Sequence, residues 1–278
     1  MISGIRRNEC LTGLDRFRLL GAISGDIAGS AYEFSKIKTK NFELFPSECN
    51  YTDDSILTVA TADKLLNYNN YAEVYRKWAN LYPHPKGAYG NSFSSWLNNS
   101  NAQAYYSFGN GSAMRVSPAG YAFTTLEETL NEAAASASVT HNHPEGVKGA
   151  QATAGCVFIA RTGGSKTEIR EFAVKRMGYQ LDENCDTIRK YYRFNDSCQG
   201  TVPQALTAFL ESEDFEDAIR LTISLGGDAD TMGAITGAVA EAFYGGVPKM
   251  FAEKTLDLLP DDLFTVIYEF NRKFLMKN

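Results

Sequence analysis

The chain is short of cysteine, and the cysteines it has are not arranged for a task. Cys10, Cys49, Cys156, Cys185 and Cys198 are scattered, odd in number and never in a CxxC spacing. This argues against a zinc ribbon or a disulfide framework and fits a reducing compartment. Long apolar runs are missing too. No stretch nears the ~18 uncharged apolar residues that a membrane helix needs, so no membrane span is expected. The opening residues, MISGIRRNECLTGLDRF, lack the apolar segment of a secretory signal, so the expected location is the cytoplasm. There is no basic excess, because the formal net charge is −6. A broad footprint for a nucleic-acid backbone is therefore not expected, which leaves room only for a local basic pocket. No GxSxG nucleophile elbow occurs. Gly164-Ser165-Lys166-Thr167 is not a phosphate-binding loop, because the GxxxxGK[ST] spacing fails.

Clear period-two alternation is also absent, and what is present instead is helical. Leu14, Phe17, Leu20, Ile23 and Ile27 recur at three- and four-residue spacing, as one buried helix face requires. Thr125-x-x-Glu128 is a capping-box pattern that opens a helix through about Ser138. Further helices are expected at 55–66, 146–161, 169–177, 203–210, 215–225, 231–244 and 261–276, with Gly178 as a C-cap. Residues 36–50, 82–101 and 181–200 read as loops. No composition shift marks a linker and no fixed-period repeat is visible, so 1–278 is expected to be one all-α domain.

Two short acidic clusters carry most of the chemistry. One is Tyr51-Thr52-Asp53-Asp54-Ser55, and the other is Gly227-Asp228-Ala229-Asp230-Thr231. Each leads into an expected helix, where aspartate and threonine also serve as N-caps. Capping needs only one such residue, and each cluster has three oxygen-bearing side chains. If the clusters face each other, their carboxylates repel unless cations lie between them. All-oxygen ligation suits Mg²⁺, Mn²⁺ or Ca²⁺, so a two-metal hydrolase is expected.

Three other segments stand out. Gly21, Gly25 and Gly29 keep four-residue spacing, which allows close helix approach or ordinary tight packing. Asp26, within that run, needs a partner if buried. Gly109-Asn110-Gly111 offers backbone N–H groups to an anion or makes a simple turn, and Arg115 binds an anion or buttresses an acidic cluster. In Thr140-His141-Asn142-His143, no third ligand has zinc spacing, so a polar contact with substrate is the better reading. Tyr89, Tyr105, Tyr106 and Phe108 could stack on a base.

Taken in order, GAISGDIAGSAYEF, YTDDS, FGNGSAMRVSPAG, SVTHNHPEGVKGAQA and SLGGDADTMGAITGAVAEAFYG make the chain resemble the ADP-ribosylglycohydrolase family. The resemblance implies one compact all-α domain of orthogonally packed helices around a binuclear Mg²⁺ or Mn²⁺ site. The implied metal ligands are Thr52, Asp53, Asp54, Asp228, Asp230 and Thr231, and the implied catalytic residues are Glu33, Asp54 and Asp228. The substrate-binding set is Asn91, Gly109, Asn110, Gly111, Ser112, Met114, Arg115 and His141. The implied substrate is an ADP-ribosylated protein or a small ADP-ribose conjugate, cleaved at ribose C1″. Where dinitrogenase reductase-type members carry an Asp, this chain has Ala88, which weakens any transfer of arginine specificity. A non-enzymatic ADP-ribose or nucleotide binder on the same fold is the rival expectation. A metal-dependent phosphoesterase is a third.

Overall fold

The computed structural model describes residues 7, 10–14, 16–35 and 37–276. Fifteen α-helices are found among them. In chain order they are α1 (Leu20–Gly29), α2 (Asp53–Asn67), α3 (Tyr71–Leu81), α4 (Asn91–Leu97), α5 (Gly111–Met114), α6 (Ser117–Ala122), α7 (Leu126–Ser138) and α8 (Pro144–Arg161). Then follow α9 (Lys166–Glu171), α10 (Cys185–Tyr191), α11 (Cys198–Glu211), α12 (Phe215–Ser224), α13 (Ala229–Tyr244), α14 (Lys249–Leu258) and α15 (Asp261–Phe274). Among the described residues there is no strand, only isolated bridges at Thr52–Lys86 and Gly109–Ser197. No helix there is long and apolar enough to cross a membrane.

The expected helix from Leu14 starts late, at Leu20. Leu19 sits in the left-handed region at φ 75°, which ends helical continuity backwards. The free N–H groups of Leu19 and Leu20 are instead taken by Glu241 of α13, at 3.0 and 3.1 Å. This buried carboxylate caps α1 across the core, and burial pushes it up to about 7. The helix expected at Pro203 begins earlier, at Cys198, where Ser197 accepts from the Gly200 N–H. The run expected as one helix over 169–177 starts at a Ser165–Glu168 capping box and widens into a π turn at Phe172–Arg176. The loops expected at 82–101 and 181–200 contain α4 and α10. Their few apolar residues give short helices too little periodicity to read. The Thr125–Glu128 capping box forms as expected.

At the centre, α1 and α13 run antiparallel and touch backbone to backbone. A Cβ added to Gly25 would lie 1.9 Å from the Gly233 carbonyl oxygen, and one added to Gly233 would lie 2.2 Å from the Gly25 oxygen. Gly21 meets Gly237 in the same way, and Gly29 meets Ala229. Close approach, rather than ordinary packing, is therefore the use of the four-residue spacing. Every residue of α1 is buried, as are the first fourteen of α13.

Asp26 finds its partners here. It is fully buried and accepts from the Thr52 N–H (3.0 Å), the Thr52 hydroxyl (2.8 Å), the Ser55 N–H (3.1 Å) and the Ser55 hydroxyl. Thus α1 carries the start of α2 on Asp26 and lies against the start of α13 through Gly29. Gly25→Ala should lower unfolding stability by about 3 kcal/mol or more, because rigid backbone blocks the new methyl. Gly90→Ala, with nothing within 4 Å of its added Cβ, should stay within about 0.5 kcal/mol. Chemical denaturation of both variants checks this, and equal midpoints would contradict the contact.

Candidate functional site

The two acidic clusters reach one cavity of about 730 Å³ from opposite helix starts. Its wall includes Glu33, Asp53, Asp54, Asp228, Asp230 and Thr231. In the first cluster the capping task falls to Thr52, whose hydroxyl accepts from the Asp54 N–H at 3.1 Å. That leaves both aspartates of the cluster free of cap duty. In the second, Asp228 stands at the N-cap of α13 but makes no side-chain cap bond. Asp230 Oδ1 takes the Thr231 N–H at 2.9 Å, so binding of first-turn N–H groups accounts for one carboxylate oxygen and leaves Asp53, Asp54 and Asp228 unexplained.

Their surroundings disfavour charge. Burial, then Asp230 and Asp26, raise Asp54 well above the usual carboxylate range. Burial and Asp230 do the same to Asp228. Asp53 and Asp230 are raised as well, by burial first. Glu33, half-buried on the turn after α1, is pushed up to about 8 by burial, Asp230 and Asp26, with Lys86 opposing. Two oxygens in this group, Asp54 Oδ2 and Glu33 Oε2, are buried without a hydrogen-bond partner. One ligand oxygen from each of Glu33, Asp228 and Asp230 lies within 4.8 Å of the others. Unpartnered carboxylate oxygens converging in a cavity fit hard divalent cations. This trio joins Glu33, expected as a catalytic residue and not as a ligand, to the second cluster.

The remaining expected residues divide by depth. Asn91, Gly109, Asn110, Gly111, Met114 and His141 line the cavity. Asn110 donates to Asp228 at 2.7 Å and to Thr201 at 3.1 Å, so it aims the carboxylate. Ser112 is buried away from the cavity and donates to the Gly146 carbonyl at 2.7 Å. Thr52 likewise faces Asp26. Arg115 also lines the cavity although it has no exposed surface, its guanidinium 4.2 Å above the Tyr75 ring. His143 accepts the Glu145 N–H at 3.0 Å as the N-cap of α8, and no histidine joins the acidic trio. Tyr89 and Tyr105 line the cavity, whereas Tyr106 and Phe108 lie edge-on to His143 outside it.

Sequence reasoning missed part of the rim. Phe34 and Phe194, both exposed, stack with ring centres 6.5 Å apart, and Asp196 lies beside them. Phe194 and Asp196 belong to a segment read only as loop. It is tied to the Gly109 turn by the Asn110 N–H donating to the Asp196 carbonyl at 2.7 Å. That pairing has no local signal.

A family model described as ADP-ribosylglycohydrolase matches residues 12–277. The chain belongs to the ADP-ribosylglycohydrolase family. Tri1 of Pseudomonas putida (strain GB-1), named an ADP-ribosylarginine hydrolase, is 29% identical over 87% of this chain and 74% of its own. The mouse ADP-ribosylhydrolase ARH3 is 26% identical over 92% of this chain and 93% of its own. A solved structure titled "ADP-ribosylglycohydrolase-related protein complex" shares the fold, with TM-score 0.68 and 22% identity over 96% of this chain and 99% of that one.

The raised carboxylates set a pH dependence. Their folded values lie above the unfolded ones, so their contribution is fully present below the unfolded range and is lost as pH rises. With Asp26 at about 7 and Glu33 at about 8, the cation-free protein should lose stability from about pH 4 to about pH 8. Mg²⁺ or Mn²⁺ should restore it at the upper end. Thermal melts in EDTA and in Mg²⁺ across this range check it. Parallel curves would contradict cation binding here.

Proposed function

We propose that the chain is a divalent-cation-dependent hydrolase that removes ADP-ribose from an acceptor, foremost a protein side chain, by cleavage at ribose C1″. The observation that carries this reading is the pair of unpartnered oxygens, Asp54 Oδ2 and Glu33 Oε2, set among the carboxylates of one cavity. The names of Tri1 and ARH3 support ADP-ribose as the substrate moiety. Asp53, Asp54, Asp228, Asp230 and Thr231 would hold two cations, Mg²⁺ or Mn²⁺, with Thr52 supporting Asp54 through its cap bond. Held by these residues, the cations would offset the carboxylate charge and supply Lewis-acid chemistry to ribose oxygens and water.

The chain's own part follows from placement. Hydrolysis forms a bond from water oxygen to C1″, breaks the bond from C1″ to the acceptor, and moves one proton from water to the departing acceptor atom. Glu33 reaches the cavity from the turn after α1 with one oxygen unpartnered, so it is the group to carry that proton. Asn110 keeps Asp228 aimed inward. The Gly109–Gly111 turn and His141 form a wall on the cavity for the nucleotide-sugar.

Free ADP-ribose released from ADP-ribosylated protein should depend on added Mg²⁺ or Mn²⁺ and disappear in EDTA. Asp228→Ala should abolish turnover, and Glu33→Gln should lower kcat by about 100-fold or more while ADP-ribose still binds. Full turnover by Asp228→Ala would overturn the site. Tight ADP-ribose binding with no turnover of any linkage would point instead to a binding protein. Asn110→Ala should weaken cation affinity by about 10–100-fold, as loss of a ligand-orienting partner does. Calorimetric titration with Mn²⁺ measures this, and an unchanged affinity would remove Asn110 from the metal's support.

A further inference from the structure

Within the cavity wall a buried arginine, a threonine and a histidine form a chain of contacts, with Arg115 and His141 among the lining residues. Arg115 and Thr140 have no exposed surface, and His141 is 6% exposed. One Arg115 nitrogen donates to Thr140 Oγ1 at 2.8 Å and to the Ser136 carbonyl at 3.1 Å. Its other two nitrogens find no hydrogen-bond partner, and its face rests on the Tyr75 ring. Thr140 Oγ1 lies 2.8 Å from His141 Nδ1.

The protons can be assigned from this. Arginine only donates, so Thr140 accepts from it. The threonine hydroxyl keeps one proton to give, and His141 Nδ1 is the nitrogen beside it. The guanidinium charge acts in the same sense, because it favours a lone pair rather than a proton on the imidazole edge turned towards it. Nδ1 is then an acceptor, and the ring's proton lies on Nε2. That nitrogen faces the Gly109–Gly111 turn. A Cβ added at Gly111 would stand 3.2 Å from it, and one at Gly109 3.5 Å, so glycines there keep it open.

We infer that His141 serves the cavity as a neutral imidazole donating through Nε2–H, and that Thr140 and Arg115 are the positioning residues that hold it in that state. Burial and the Arg115 charge both keep His141 well below the usual histidine range. The Tyr105 ring, 5.9 Å away, belongs to a phenol that is also a hydrogen-bond neighbour of Thr140. Burial pushes that phenol up to about 12, so it is neutral, adds no charge and has a proton of its own to give to the Thr140 oxygen. Asp196 and Asp228 line the same cavity, but the side chain that touches His141 Nδ1 is Thr140, not a carboxylate. His143 is engaged as the cap of α8. A neutral donor offers its N–H equally across neutral pH to an acceptor atom of the ligand. The identity of that ligand rests on the function proposed above, but the state of the ring does not.

The test is nitrogen NMR of the ligand-free full chain, which has three histidines to assign. His141 should show the Nε2–H tautomer and no titration between about pH 5.5 and about pH 8, where a free histidine titrates. Thr140→Val should lose the tautomer preference, and Thr140→Ser should keep it. Arg115→Met should move the His141 midpoint up by at least tenfold in proton affinity. The Thr140 pair decides the matter if Arg115→Met does not fold. Wild-type titration near pH 6.5, an Nδ1–H tautomer, or a Thr140→Val spectrum matching wild type would overturn the inference. The readout needs no substrate, so its failure would leave the hydrolase reading standing.

Discussion

The structure depends on the bare backbone contact between α1 and α13. Glycine carbonyls of each helix occupy the space where a side chain of the other would stand, from Gly21–Gly237 through Gly25–Gly233. At that separation the two helices act as one rigid unit. Glu241 closes it at one end by capping α1. The acidic clusters gather at the other end, where Gly29 meets Ala229.

That unit explains how like charges come to be collected. Asp26 on α1 accepts four hydrogen bonds from the start of α2, which brings Asp53 and Asp54 to α1. Asp228 and Asp230 arrive with the start of α13. Glu33 follows from the turn that ends α1. Crowding these groups is unfavourable in isolation, since burial and mutual repulsion both disfavour the charged forms. A well-packed core far from the site supplies the stability that lets the crowding persist.

The side chains around the cavity differ in their tasks. Carboxylates that face it have free oxygens, as Asp54 and Glu33 show. Other side chains hold the carboxylates and the ring in place: Asn110 donates to Asp228, Thr52 caps α2, and Arg115 donates to Thr140, which touches His141. GNGSAMR therefore reads as a single motif along the chain but divides into wall and support in space, with Gly111 and Met114 on the cavity and Ser112 turned from it.

The all-helical character was legible from apolar spacing at three and four residues, and the capping box at Thr125 was legible from two side chains three apart. The acidic clusters were legible as chemistry because each holds more oxygen than a cap requires. These are local properties, encoded within one or two helical turns. Tertiary structure decided the rest. It started α1 at Leu20 by way of a capping carboxylate more than two hundred positions away. It made Glu33 the neighbour of Asp228 and Asp230. It also placed Phe194 and Asp196 on the rim through the Gly109–Ser197 bridge, with the Asn110 N–H on the Asp196 carbonyl and the Cys198 N–H on the Phe108 carbonyl. The reason is that burial and pairing across the core depend on which helices approach, and no spacing along the chain records that.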